Sequence, residues 1–352
     1  MVKRRVLAVR LDNAGDVLLA GPAIRAMAAS DAEVTLLAGP RGESAGRMLP
    51  GVDEVMVWRC PWIDPHPVAI DSDAMTGVID DLRAQRFEQA LIFTSFHQSA
   101  LPTALLLRLA GVPWIGAISD DYPGSLLDLR HRLDDDVPEA ERALDLAQAA
   151  GFELSAGDSG ELAVRRPLPA VDHLVDDLPY LVLHPGTSVP ARAWPVERFA
   201  EAAKLLTDLG WRVVVTGSAV DAQLTAHVAA VNVEIVDLSG CTTMAELAGV
   251  LACAEVVVVG NTGPAHLAAA VGTPVVSLFA PTVPAVRWAP YRVPQVLLGD
   301  QQAPCRDTRV TECPFAGHPC LTSVTADDVC LAVKFLTTGR RSAAESTKEA
   351  IR

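Results

Sequence analysis

The chain has 352 residues, too long for one compact core and comfortable for two domains. Half of them are hydrophobic and a fifth charged, which excludes a disordered chain, and no apolar run reaches the roughly 18 to 20 residues of a membrane span. A net charge of −14 argues against nucleic acid as a partner.

The first ten residues are basic like a secretory leader, but Arg10 closes their short apolar stretch. Secretion is therefore rejected and a cytoplasmic location expected, with peripheral membrane contact left open. Short β-branched runs then alternate with Ala/Leu-rich segments, the pattern of βα units around parallel sheets. In the first half the pattern predicts strands at Arg5–Arg10, Val34–Leu37, Glu54–Val57, Gln89–Phe93 and Trp114–Ala117. Helices fall at Asp16–Ala29, Thr76–Gln85, Ser99–Leu109 and Pro138–Ala150. A Pro-, Gly-, Asp- and Ser-rich stretch over 154–179 breaks the alternation.

The alternation restarts with strands at Tyr180–Leu183, Arg212–Val215, Glu234–Val236, Glu255–Val259 and Pro274–Leu278. Between them come helices at Val196–Leu209, Val220–Ala230, Met244–Ala252 and Pro264–Val271. Val256–Val259 has no polar alternation, as expected of a strand covered on both faces. Residues 281–323 read as irregular and Ala326–Leu336 as a last helix. The prediction is an α/β protein of two Rossmann-like, doubly wound domains facing each other, with the site in the cleft between them. They cover 1–160 and 180–338, joined by a linker at 161–179 and followed by a flexible tail at 339–352.

Three constellations stand at the ends of predicted strands. Arg10-Leu11-Asp12-Asn13-Ala14-Gly15-Asp16-Val17 leaves the first strand and opens a helix. Asp12, Asn13 and Asp16 either cap that helix or present a carboxylate that accepts a proton as a general base. His184-Pro185-Gly186-Thr187-Ser188, with Arg192 four residues on, combines backbone N–H groups, two hydroxyls and a fixed cation, the parts of a phosphate cradle. The Trp194-Pro195 that follows reads equally as a hydrophobic staple with Pro at the helix start. Gly260-Asn261-Thr262-Gly263-Pro264-Ala265-His266 is a Gly-bounded turn feeding a helix, where His266 reaches either a phosphate or a backbone neighbour. Neither GxxxxGK[ST] nor GxGxxG is present, so ATPase and dehydrogenase readings lose their support.

These motifs, in this order, resemble glycosyltransferase family 9, the family of the ADP-heptose:lipopolysaccharide heptosyltransferases, over residues 4–336. The resemblance implies a GT-B fold and inverting, metal-independent transfer from a nucleotide-activated sugar, with no cofactor. It implies Asp16 as the base for the acceptor hydroxyl. Gly186, Thr187, Ser188 and Arg192 would contact the donor phosphates, although the last is often Lys in the family. Asp221 and Thr242, Thr243 and Met244 match the nucleoside region more loosely, and Asn261, Thr262, Gly263 and His266 match the sugar- and phosphate-binding turn. Several heptosyltransferases carry Asp where this chain has Asn261. The alternatives are a nucleotide-sugar 2-epimerase of the same architecture and a catalytically silent sugar-nucleotide-binding protein.

Residues 1–161 carry 14 Lys and Arg against 25 Asp and Glu, with Lys3 as the lone lysine, and the remainder carries 15 against 18. An acceptor domain so acidic points to a neutral or cationic glycan, small glycoside or natural product and away from an anionic lipid A core. An arginine patch of Arg10, Arg41, Arg59 and Arg83 would reverse that reading. Asn13, His97 and Gln98 are the acceptor-side candidates, and Trp58 or Trp62 would stack on a sugar unless buried. No Asp-x-Asp motif or acidic cluster suits a divalent metal. Cys305, Cys313 and Cys320 are spaced unlike a structural zinc site and read as free or paired thiols.

Overall fold

The computed structural model describes residues 3–133, 136–176 and 178–350, of which 339–350 are described by backbone alone. The chain divides into two compact units, Met1–Arg165 and Arg166–Arg352. The first contains β1 (Arg4–Arg10), α1 (Ala14–Leu19), α2 (Gly21–Ala29), β2 (Ala32–Ala38), α3 (Glu43–Met48) and β3 (Glu54–Val57). It continues with α4 (Ser72–Gln85), β4 (Gln89–Ile92), α5 (Leu101–Leu109), β5 (Ile115–Ile118), β6 (Leu129–His131) and α6 (Glu139–Ala149). Among the described residues these strands form a six-stranded parallel sheet in the order β3-β2-β1-β4-β5-β6.

The second unit opens with β7 (Tyr180–His184), a 3-10 turn (Pro190–Arg192) and α7 (Val196–Asp208). Then come β8 (Arg212–Val215), a second 3-10 turn (Ala219–Asp221), α8 (Ala222–Ala229), β9 (Val236–Asp237), α9 (Met244–Cys253) and β10 (Val256–Gly260). It closes with α10 (Gly263–Val271), β11 (Val275–Leu278), α11 (Ala285–Trp288), β12 (Gln295–Leu298), α12 (Pro319–Thr322) and α13 (Ala326–Ala350). Its parallel sheet runs β12-β11-β10-β7-β8-β9, the same winding as the first. Val256–Val259 are each 0 % exposed, and each buried valine contributes about 1.5 to 3 kcal/mol. Trp194, Phe199 and Val329 fill one core of this unit, as Leu7, Phe87 and Leu107 do in the first.

Several expectations are corrected. The single helix expected at Asp16–Ala29 is two, α1 and α2, because Pro22 offers no N–H and its ring crowds the carbonyl four residues back. Residues 281–323 are not wholly irregular: they hold α11, β12 and α12, and β12 pairs with β11 at the sheet edge. Neither α3 nor β6 was foreseen, both being too short to show a period. Within 154–179 the chain is tied down locally. Arg25 Nε lies 2.6 Å from Asp158 Oδ2, while Pro169 and Val171 pack on Gly249. The expected tail at 339–352 falls on α13 up to Ala350, and residues 351–352 lie outside the described ones.

Candidate active site

In each sheet the winding reverses between the first and fourth strands, β1 beside β4 and β7 beside β10. Helices leave such a pair toward opposite faces, so the strands' carboxyl ends open a crevice where ligands bind. All three constellations sit at these two points.

In the first unit the register sets Val9 beside Ile92, which brings Arg10 alongside the loop after β4. Arg10 is 3 % exposed, and a guanidinium so buried needs carboxylates around it. Its Nη2 donates to Asp16 Oδ1 at 3.1 Å and to Ser95 Oγ at 2.9 Å, and its Nε lies 2.9 Å from Asp12 Oδ2. Asp12 caps nothing. Gln98 Nε2 donates to its Oδ1 at 2.6 Å, and burial raises its carboxyl above the usual range despite the opposing Arg10 charge. Asp16 stands in the first turn of α1 with its side chain 18 % exposed, within reach of both Arg10 and solvent. Asn13 is the exposed N-cap of that helix, though its side chain makes no cap bond. His97 is exposed and edge-on to Phe96, whereas Gln98 turns inward, accepting the Ser95 N–H at 3.0 Å. Arg10, Ser95 and the buried pair Glu139–Arg142 were not among the site residues named from sequence. The signal for Arg10 was a charge closing an otherwise apolar strand.

In the second unit His184, buried at the end of β7, shares a 2.9 Å hydrogen bond between Nδ1 and Thr216 Oγ1, and burial holds it near 4. The chain then turns through Gly186, where an added Cβ would meet the Asp221 carboxyl carbon at 2.7 Å. Asp221 is held there as a cap, its Oδ2 accepting from Ser218 N at 2.8 Å and Ser218 Oγ at 2.5 Å. Thr187 is half-buried, Ser188 exposed, and Arg192 half-buried at the end of the 3-10 turn.

Across from it, α10 begins at Gly263 with Thr262 as N-cap and no side-chain cap bond; Pro264 has no N–H to offer and Ala265 N donates to Thr262 O at 3.0 Å, so the positive end of the helix faces the turn with few donors of its own. Asn261 and His266 are each 4 % exposed, yet Asn261 Nδ2 and His266 Nδ1 have no hydrogen-bond partner within the protein. Burial, then the neighbouring Arg192 charge, lowers His266 to about 4, so it is neutral at physiological pH. The bland reading of His266, a bond to a backbone neighbour, is not what Nδ1 does. Thr242, Thr243 and Met244 lead into α9, and a 2.9 Å bond from Gly240 N to Gly217 O ties their loop to the one carrying Asp221. Thr243 spends its hydroxyl and N–H on a capping box with Glu246.

Other candidates resolve simply. Trp58 and Trp62 pack edge-to-face, 5.2 Å between centroids, and Trp62 Nε1 donates to Thr103 Oγ1 at 3.0 Å. All seven cysteines are free thiols, and burial beside Cys305 pushes Cys320 up to about 12. Among the described residues no three His, Cys, Asp or Glu are grouped to hold a metal ion, and no helix is long and apolar enough to cross a membrane.

Residues 75–318 match the sequence profile of glycosyltransferase family 9 (heptosyltransferase). The chain is 29 % identical over 329 residues to lipopolysaccharide heptosyltransferase 1 of Pseudomonas aeruginosa, covering 86 % of each chain. It is 30 % identical to lipopolysaccharide heptosyltransferase 2 of Escherichia coli over 58 % of this chain and 62 % of that one. The structure of E. coli ADP-heptose lipopolysaccharide heptosyltransferase II superposes with a TM-score of 0.73 at 19 % identity, over 96 % of this chain and 99 % of that one. An E. coli heptosyltransferase solved with ADP-2-deoxy-2-fluoro heptose gives 0.71 at 21 % identity over 94 % and 99 %. The fold is therefore GT-B, two doubly wound α/β units in one chain. By its profile match and its motifs at both switch points, the protein belongs to glycosyltransferase family 9 and is a glycosyltransferase.

Proposed function

We propose that the protein is an inverting, metal-independent enzyme that moves heptose from ADP-heptose to an acceptor hydroxyl deprotonated by Asp16. The observation that carries this reading is the pair of buried, unpartnered polar atoms, Asn261 Nδ2 and His266 Nδ1, in the turn that opens α10. A buried donor or acceptor left unmatched costs about 1 to 3 kcal/mol, a cost that a bound polyhydroxylated ligand removes. In the reaction the acceptor oxygen gives its proton to Asp16 and attacks the anomeric carbon from the face opposite the diphosphate. The bond from that carbon to the phosphate oxygen breaks, and charge develops on the departing ADP. Arg192 and the positive N-terminal end of α10 stabilise that charge, which is the role a metal would otherwise fill. Gly186, Thr187 and Ser188 complete the phosphate contacts, with the nucleoside beside Asp221 and Thr242–Met244.

The acceptor is neutral or cationic: a glycan, small glycoside or natural product. Support comes from the four arginines of the candidate patch, each within ion-pair distance of a carboxylate. Arg10 pairs with Asp12 and Asp16, Arg41 and Arg59 share Asp64, and Arg83 pairs with Asp80. Nucleotide titration by calorimetry without metal tests the donor half, with ADP expected to bind in preference to UDP, GDP and dTDP. An acceptor panel with ADP-heptose tests transfer. Asp16→Asn is expected to keep ADP affinity and lose about 10²- to 10⁴-fold in turnover. Full turnover in that variant would remove Asp16 as the base.

A further inference from the structure

Between β12 and α13 the chain leaves the sheet and passes over the 3-10 turn that carries Arg192, gripping that turn at one residue. Ala191, 1 % exposed, donates its N–H to Thr311 O at 2.9 Å, and its carbonyl lies 3.1 Å from His318 Nε2. A carbonyl only accepts, so Nε2 is the donor. That carbonyl belongs to the peptide that enters Arg192, whose own N–H is spent on Val189 O at 2.8 Å. Both edges of the peptide are therefore held. On the far side of its α-carbon, Arg192 O lies against Gly260, where an added Cβ would approach it to 3.4 Å, at the start of the Asn261–His266 turn. Trp194 Nε1 then donates to Val324 O at 3.2 Å, so the same stretch pins the chain before and after Arg192. His318 itself is fixed in an unusual pose. It follows Gly317 into the left-handed region, with φ of 50° after 78°, and Thr322 Oγ1 donates to Gly317 O at 2.9 Å and to His318 O at 3.1 Å. Histidine visits that region more readily than most residues, yet still at some cost, and such a conformation persists where its surroundings over-determine it. What the pose delivers is a half-buried ring turned onto the Ala191 carbonyl.

We propose that His318 is a positioning residue for Arg192: by holding the Ala191 carbonyl it fixes the direction in which the Arg192 side chain leaves the turn, and so where the guanidinium stands against the donor's diphosphate. The proposal rests on the reading of Arg192 as a diphosphate contact. The Arg192 side chain is long, so a small rotation of the peptide at its root becomes a large displacement at its tip. A charge-assisted hydrogen bond weakens steeply once its distance and angle leave a narrow range. Without the His318 ring the segment keeps its bonds to Val189 O, Pro190 O and Thr311 O and remains a turn. It loses only the anchor on the carbonyl edge of the peptide that aims Arg192.

The test is ADP affinity by calorimetry for wild type, His318→Asn, His318→Gln, Arg192→Ala and the double variant of His318→Asn with Arg192→Ala. Asparagine accepts the left-handed backbone, but its amide nitrogen ends one bond short of the position of Nε2. Glutamine places an N–H as many bonds from the α-carbon as Nε2 is, so it can restore the contact. His318→Asn is expected to weaken ADP by about 2- to 10-fold, the worth of one hydrogen bond, and His318→Gln to bind as wild type does. With Arg192 gone there is nothing left to aim, so the double variant is expected to bind ADP no more weakly than Arg192→Ala alone. Wild-type affinity in His318→Asn beside a weakened Arg192→Ala overturns the proposal. So does an equal loss from His318→Asn with and without Arg192, which would make His318 a support of the fold at large. A His318→Gln variant as weak as His318→Asn also overturns it. If Arg192→Ala binds ADP as tightly as wild type, the diphosphate reading itself fails and the proposal falls with it, a result told apart from the others by Arg192→Ala alone.

Discussion

Gly186→Ala is the sharpest probe of the loop that follows β7. A Cβ at that position would lie 2.7 Å from Asp221 Cγ and Oδ2 and 2.8 Å from Oδ1, distances that no relaxed side chain tolerates. Its backbone is outside the left-handed region, so the cost of alanine there is steric and not conformational. The Asp221 carboxylate must move, and moving it breaks its bonds to Ser218 N and Oγ. Losing a cap costs about 0.5 to 2 kcal/mol and overpacking about 1 to 3, which brackets a loss of about 2 kcal/mol. In a unit of this size, spanning Arg166–Arg352, that lowers the melting temperature by about 4 to 8 °C. Scanning calorimetry reads the shift. Asp221→Ala removes the clashing atoms, so the double variant should be no less stable than Asp221→Ala alone, a coupling of about 2 kcal/mol. Additive losses, or a Gly186→Ala melt indistinguishable from wild type, would refute the reasoning.

Other outcomes follow from the same geometry. Arg192→Ala should weaken ADP by about 10- to 150-fold in calorimetry, the worth of a charge-assisted hydrogen bond of about 1.5 to 3 kcal/mol. His184 and His266 are both held near 4 in the folded protein, below the 6.5 of an unconstrained imidazole. Unfolding therefore takes up protons between those values, and stability is complete above about pH 6.5 and falls toward pH 4 by about 1.4 kcal/mol per unit for each histidine. Urea midpoints of the second unit should show that slope, and His184→Gln should reduce it; an unchanged slope would sink the assignment. Trp194 is 3 % exposed, donates to Val324 O at 3.2 Å and packs edge-on to Phe199. Trp194→Ala should cost about 3 to 5 kcal/mol in chemical denaturation.

The alternation of β-branched and Ala/Leu-rich segments was enough to place two doubly wound units, because a parallel strand covered on both faces has to read as an apolar run. Val256–Val259 is such a run, and Gly263-Pro264 after it marks a helix start by backbone chemistry that acts within a few residues. The three constellations were legible for the same reason: each lies in one contiguous loop at a strand end. What short windows lack is also visible. The strand β12 has one exposed and three half-buried residues and no period, and only its pairing with β11 makes it a strand.

Partnership between distant residues was decided by the tertiary structure alone. Arg10 and Asp16 are six positions apart and could be suspected of meeting, but Ser95, Gln98 and Glu139 reach them only because β4 pairs with β1 and α6 packs behind. That Gln98, an acceptor-side candidate by sequence, is bonded to Asp12, and that Arg10, Arg41, Arg59 and Arg83 are each engaged by carboxylates, no short window shows. Burial governs the rest. A histidine in a sequence has no defined charge, whereas His266, enclosed beside Arg192, is neutral with its buried Nδ1 unmatched within the protein. Periodicity records which face of an element is dry, while the charge state and partners of a polar group depend on the atoms that the fold brings around it.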